Sequence, residues 1–124
     1  MCLRWTTKKS RPSSSPSMPI ALASNTGRML IDLALASTPF ASSFDAIVTA
    51  DDVQRHKPAP DLYLLACERL AVRPSDAVAF EDSAAGVRSA RAAGLTVVAV
   101  PVRPGPDFDI ADVVVPSLAE LVRG

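Results

Sequence analysis

From Ile20 onward, short apolar runs alternate with segments in which apolar residues recur every three or four positions. IALAS (20–24) is ended by Asn25, Thr26 and Gly27, which predicts a buried strand entering a tight turn. In RMLIDLALA (28–36), Leu30, Leu33 and Ala34 share helical spacing. They predict an amphipathic helix lying on that strand, with Thr26 placed to cap it. DAIVTA (45–50) predicts the next strand, 51–60 a loop, and DLYLLACERLA (61–71) a helix with Leu62, Leu65, Ala66 and Leu70 on one face. AVAFE (77–81) predicts a third strand, and SAAGVRSARAAG (83–94) a helix closed by Gly94 in the left-handed conformation. TVVAVPV (96–102) and ADVVVPS (111–117) complete the strands. SLAELV (117–122) reads as a last helix, with Ser117 and Glu120 spaced as a capping box. Apolar strands alternating with amphipathic helices predict an α/β fold built on a doubly wound parallel sheet covered on both faces.

The first eighteen residues break this rhythm. Prolines, five serines and four cations, without one acid, cannot bury enough apolar surface to offset the entropy of ordering them. The expected organisation is a disordered basic leader over 1–18 followed by a single α/β core over 19–124.

Composition sharpens this only in places. At 48% hydrophobic and 5% aromatic the core must be aliphatic, and 124 residues allow one domain. Four of the thirteen basic residues lie in the leader, leaving nine against thirteen acids in the body, a net charge of −4. No basic field points to nucleic acid. No apolar stretch approaches the roughly 20 residues of a membrane helix. Cys2 and Cys67 form neither a metal-ligand spacing nor a disulfide framework, which implies a reducing, cytoplasmic setting.

In a doubly wound fold the chemistry lies beyond the carboxyl ends of the strands. The residues there are Ser24, Asp51, Asp52, Lys57, Glu81 and Asp82. A hydroxyl and backbone amides can bond phosphate oxygens, a lysine can neutralise charge, and carboxylates can hold Mg²⁺ through oxygen. Each residue also has a plainer reading. Ser24 suits a turn, Asp51 and Asp52 start a loop, Asp82 or Ser83 can cap the following helix, and His56 is a surface loop residue. Lys57 stands in HKPAP, whose prolines stiffen the loop and favour a positioned amine over a mobile one.

Three segments, ALASNT (21–26), TADDVQRHKPAPDLYLLACERL (49–70) and FEDSAAGVRSARAAGL (80–95), resemble the second, third and fourth motifs of the haloacid dehalogenase-like hydrolases. The nearest subgroup contains β-phosphoglucomutase and phosphoglycolate phosphatase, and the resemblance runs from about Ile20 to Val122. It implies phosphate binding by Ser24 and by Asn25 in the same turn, together with Lys57, a catalytic residue that stabilises the phosphoryl group. It further implies Mg²⁺ held by Asp82, with Glu81 as a ligand or the partner of one, and a small phosphorylated metabolite as substrate. His56 stands where the subgroup usually has a small residue.

The family's first motif, an Asp-x-Asp-Gly segment that supplies the nucleophile, has no counterpart here, because residues 1–19 contain no Asp or Glu. The cap that follows it in this subgroup is missing as well. By resemblance the sheet therefore lacks its central first strand. The leader is too basic and proline-rich to replace it, so either 20–24 pairs directly with 77–81 or strand edges stay exposed to self-association or a complementing chain. Two functional readings follow. The chain is the carboxyl-terminal part of a phosphate-ester hydrolase, inactive or nearly so alone, or it is a non-catalytic module keeping phosphate and Mg²⁺ contacts. A phosphoacceptor receiver domain is rejected by residue order, since no lysine follows residue 57.

Overall fold

The computed structural model describes residues 2–4, as backbone, and 18–116. Its strands are β1 (Cys2–Arg4), β2 (Ile20–Ala23), β3 (Ala46–Val48), β4 (Ala77–Glu81), β5 (Thr96–Ala99) and β6 (Val113–Val114). The helices are α1 (Arg28–Ala36), α2 (Asp61–Arg69) and α3 (Ala84–Ala93). The α/β alternation and the order of elements from Ile20 agree with the apolar pattern. The helix expected over 117–122 lies outside the described residues.

The strands form one six-stranded sheet in the order β3-β2-β1-β4-β5-β6. β2 and β3 pair in parallel, as do β4, β5 and β6. The centre corrects two expectations. β2 does not pair with β4, because β1 lies between them, and β1 runs antiparallel to both, with Cys2 opposite Ala21 and Ala79. The sheet is therefore mixed at its middle. The facing edges of β2 and β4 carry backbone N–H and C=O groups that must be paired, and any extended segment can pair them. Averaging composition over residues 1–18 hid such a segment: the lysines at 8 and 9 and the prolines at 12 and 16 all follow Arg4.

α2 packs on β1, β2 and β3, α3 packs on β4 and β5, and the two helices pack on each other, so both cover one face. The strands present alanine to that face: Ala21, Ala23, Ala77, Ala79 and Ala99 are buried. Small side chains let the helices approach closely. Leu62, Val87, Leu95 and Val97 fill the layer, each contributing about 1.5–3 kcal/mol by burial. Strand alternation turns Leu22, Val78 and Phe80 to the other face, where they are half-buried. The one tyrosine, Tyr63, is fully buried in this otherwise aliphatic core.

α1 departs from expectation. None of its residues is buried, and Leu30 and Leu33 are 61% and 64% exposed. Its inward side is instead Arg28, Ile31 and Leu35, all half-buried. Thr26 does not cap it. The amide of Arg28 donates to Asp51 Oδ2 at 2.7 Å, so a carboxylate from the loop after β3 serves the helix start. α3 matches its sequence signature, with Ser83 Oγ accepting from the Gly86 amide (3.1 Å) and Gly94 at φ 92°.

Candidate functional site

The carboxyl ends of β2 and β4 flank a cleft of about 500 Å³. Ser24, Asn25 and Thr26 come from the turn after β2, Lys57 from the loop before α2, and Glu81, Asp82 and Ser83 from the end of β4. The predicted phosphate, lysine and carboxylate residues therefore share one rim, as the topology of parallel strands dictates.

Ser24 Oγ accepts the amide of Thr26 at 3.1 Å, which leaves its own O–H to donate into the cleft. Asn25 is turned elsewhere. Its Oδ1 accepts the Lys57 amide at 2.8 Å and its Nδ2 donates to the Lys57 carbonyl at 3.4 Å. The side chain predicted to bind phosphate thus clamps the lysine's backbone from both sides.

The rest of the 53–60 loop is held as firmly. Arg55 grips Asp61 through two nitrogens (2.9 and 3.3 Å), and the buried Ser89 hydroxyl donates to the Ala59 carbonyl at 2.7 Å. His56 Nε2 sits 3.1 Å from the Ala50 carbonyl and does not line the cleft. These contacts match the stiff loop read from HKPAP, and they deliver Lys57 as a positioned cation.

The Lys57 ammonium donates to the Ala23 carbonyl (3.0 Å) and to Glu81 Oε1 (2.5 Å), and lies 5.0 Å from the centre of the Tyr63 ring. The Tyr63 hydroxyl donates to the same Glu81 oxygen. Glu81 and Asp82, grouped together in the sequence reading, therefore part company. Glu81 is buried and engaged by Lys57 and Tyr63, whereas Asp82 is exposed at the cleft. Tyr63 is a participant that apolar periodicity missed, and so is Gly86, where an added Cβ would overlap the Glu81 carboxylate. The available signal was a tyrosine on a buried helical face, whose hydroxyl needs a partner.

Asp51 and Asp52 stand apart from the cleft. Asp52 Oδ2 accepts the Thr49 amide (2.7 Å) and hydroxyl (3.1 Å), and its carboxylate pairs with Arg28 (3.2 Å) and Arg69 (3.6 Å). The Thr49 amide foremost, opposed by partial desolvation and helped by the Thr49 hydroxyl and the two guanidinium groups, holds this carboxyl below its ordinary pKa. Its role is to bind α1, α2 and the turn after β3 together.

Chemically, the cleft offers a hydroxyl and an ammonium to a tetrahedral oxyanion. Asp82 in the same cleft would repel that anion unless a cation lay between them. The donor set suits a hard ion such as Mg²⁺ held by one carboxylate, phosphate oxygens and water. Among the described residues there is no cluster of three acidic, histidine or cysteine side chains able to hold a metal by themselves. No described helix is long and apolar enough to cross a membrane.

A family model described as haloacid dehalogenase-like hydrolase matches residues 14–100. Protein CbbY of Rhodobacter capsulatus is 44% identical over 105 residues, covering 81% of this chain and 46% of that protein. Fructose-1-phosphate phosphatase YqaB of Escherichia coli strain K12 is 42% identical over 82 residues, covering 66% of this chain and 44% of that protein. The crystal structure of CbbY from Rhodobacter sphaeroides in complex with phosphate superposes with a TM-score of 0.75 at 36% identity, covering 83% of this chain and 48% of that one. The chain thus spans a little under half the length of each of these three proteins.

Proposed function

The chain belongs to the haloacid dehalogenase-like hydrolase family, and from that premise we propose that its cleft is the phosphate-binding half of a Mg²⁺-assisted phosphate-ester hydrolase site. The carrying observation is the convergence of Ser24, Lys57 and Asp82 on one cleft, with Lys57 fixed from three sides. In this reading Ser24 donates to a phosphate oxygen and Lys57 neutralises phosphoryl charge. Asp82 would hold Mg²⁺, which would supply further charge neutralisation on the phosphate. Glu81 orients Lys57 and does not serve as a metal ligand. The ligand class is a small phosphorylated metabolite, in keeping with the fructose-1-phosphate phosphatase among the relatives, and the setting is the reducing cytoplasm expected from the cysteine usage.

A second reading, a binding module without turnover, is favoured by one observation about β1. That strand is antiparallel, so its carboxyl end, Arg4, pairs with Ala77 at the far end of β4 from the cleft. A nucleophile delivered from the carboxyl end of that strand would lie on the wrong rim. Among the described residues, the carboxylates lining the cleft are Glu81, already engaged, and Asp82. We therefore expect this chain to bind inorganic phosphate without hydrolysing esters.

Titrating the 124-residue chain with phosphate, with and without Mg²⁺, alongside an aryl phosphate assay, tests both readings. Saturable binding that Lys57→Ala abolishes supports the site. Mg²⁺-dependent release of phosphate from the aryl ester would overturn the binding-only reading. Absence of phosphate binding would overturn both.

A further inference from the structure

We propose that Tyr63 is a positioning residue for Lys57, its hydroxyl sharing Glu81 Oε1 with the ammonium so that Lys57 keeps a donor and net attraction for a phosphate oxygen. The inference rests on the reading of the Lys57 cleft as a phosphate site, and concerns a residue outside the cleft lining.

An ammonium has three N–H donors, and Lys57 uses two, on the Ala23 carbonyl and Glu81. One remains for a ligand. Charge is the harder problem, because a lysine paired one-to-one with a buried carboxylate is a neutral unit with little pull on an anion. The Tyr63 hydroxyl changes this by donating to the same carboxylate oxygen. A second strong donor draws off part of the negative charge that Lys57 would otherwise have to satisfy. The ring itself lies 5.0 Å from the ammonium, within range for cation–π attraction, and holds it in place.

Burial makes the arrangement specific. Tyr63 is fully buried and Glu81 is 7% exposed, so water cannot readily replace the hydroxyl. Gly86 closes the remaining side, since a Cβ built there would overlap the Glu81 carboxylate. Without the hydroxyl, Glu81 would lean on Lys57 alone, and the ammonium's spare donor and its charge would turn from the cleft toward the carboxylate. The ring alone would satisfy packing, so the hydroxyl is the part of Tyr63 that bears on the ligand.

The test uses the full 124-residue chain, inorganic phosphate as the probe, and NMR detection in wild type, Tyr63→Phe and Lys57→Ala. Phenylalanine keeps the ring, so the variant isolates the hydroxyl, and thermal melts establish that it folds. Tyr63→Phe is expected to bind phosphate on the order of fivefold more weakly. Its Lys57 ε-methylene resonances are expected to shift before any ligand is added, a signature that a purely structural role would not produce. In the wild type the Tyr63 ring resonances are expected to respond to phosphate. That measurement stands even if the variant does not fold, and unmoved ring resonances at saturation would overturn the proposal. Equal affinity in Tyr63→Phe, with Lys57 resonances unchanged, would overturn the role of Tyr63 and leave the phosphate site intact. No phosphate-dependent change in the wild type would overturn the phosphate reading and the proposal with it.

Discussion

The Lys57 ammonium lies 2.5 Å from Glu81 Oε1, with 9% and 6% of the two side chains exposed. Through this pair the loop before α2 is fastened to the end of β4, across 24 residues of sequence. Two charges withdrawn from water gain little net stability from each other, yet removing one leaves the other stranded. Lys57→Met is therefore expected to cost about 3–5 kcal/mol. The double variant Lys57→Met/Glu81→Gln should cost clearly less than the sum of its single changes. Urea unfolding of all four proteins gives the coupling directly. Additive losses would mean that the pair is not formed in solution.

Gly86→Ala is the companion prediction. The added methyl would occupy the position of the Glu81 carboxylate, which cannot swing aside without losing Lys57 and Tyr63. We expect a loss of about 1–3 kcal/mol, as for overpacking elsewhere in cores. The loss should shrink in a Glu81→Ala background, where the space is vacant. A penalty unchanged by Glu81→Ala would assign the strain to some other neighbour.

What the sequence disclosed, and what it withheld, follows from the range of the forces involved. The strands and helices after Ile20 were legible because burial of one face imposes its period on neighbouring residues. Gly94 and Ser83 were legible because caps are local chemistry. The cleft residues were legible as types, since strand ends converge in this topology. Their division of labour was not, because it depends on pairings between distant residues. Asn25 reaches Lys57 across 32 positions and Tyr63 reaches Glu81 across 18. β1 was missed for a similar reason: its place is set by backbone groups on β2 and β4, not by its own composition. The exposed face of α1 shows the limit of periodicity, which marks an apolar stripe without saying that anything covers it.

Asp52 makes a pH prediction. Its carboxyl is held below the ordinary value of 3.8, chiefly by the Thr49 amide, so the folded state favours the charged form. The associated stability is complete above the unfolded-state pKa. It is lost as the pH falls from there through the lower folded-state pKa. Asp52→Asn should cost about 1–2 kcal/mol at neutral pH. It should also flatten the acid limb of a stability profile measured from pH 7 to pH 2.5. An acid limb as steep as that of wild type would place the titrating group elsewhere.

α1 offers a contrast between two substitutions on one helix. Leu33 is 64% exposed, so Leu33→Lys should change stability by no more than about 0.5 kcal/mol. Ile31 is half-buried on the inward side, and Ile31→Lys should cost about 1–2 kcal/mol through its buried portion. Chemical denaturation of the two variants separates these outcomes. A large loss for Leu33→Lys would show that another surface covers this face.

The ends of α2 and α3 use the same turn with different residues. After α3, Gly94 N–H bonds to Arg91 and Leu95 N–H to Ala90, with Gly94 at φ 92°. After α2, Ala71 N–H bonds to Glu68 and Val72 N–H to Cys67, with Ala71 at φ 55°. Both are helix stops that require the left-handed conformation, which costs a residue bearing a Cβ about 1–2 kcal/mol. Glycine avoids that cost, but loses more entropy on folding. The difference favours Ala71→Gly by about 0.5–1 kcal/mol, or a rise of about 2–5 °C in melting temperature. The reverse change at the other helix, Gly94→Ala, should lower stability by a similar amount. Calorimetry on both variants tests the pair, and destabilisation by Ala71→Gly would mean that the turn after α2 is not held in this conformation in solution.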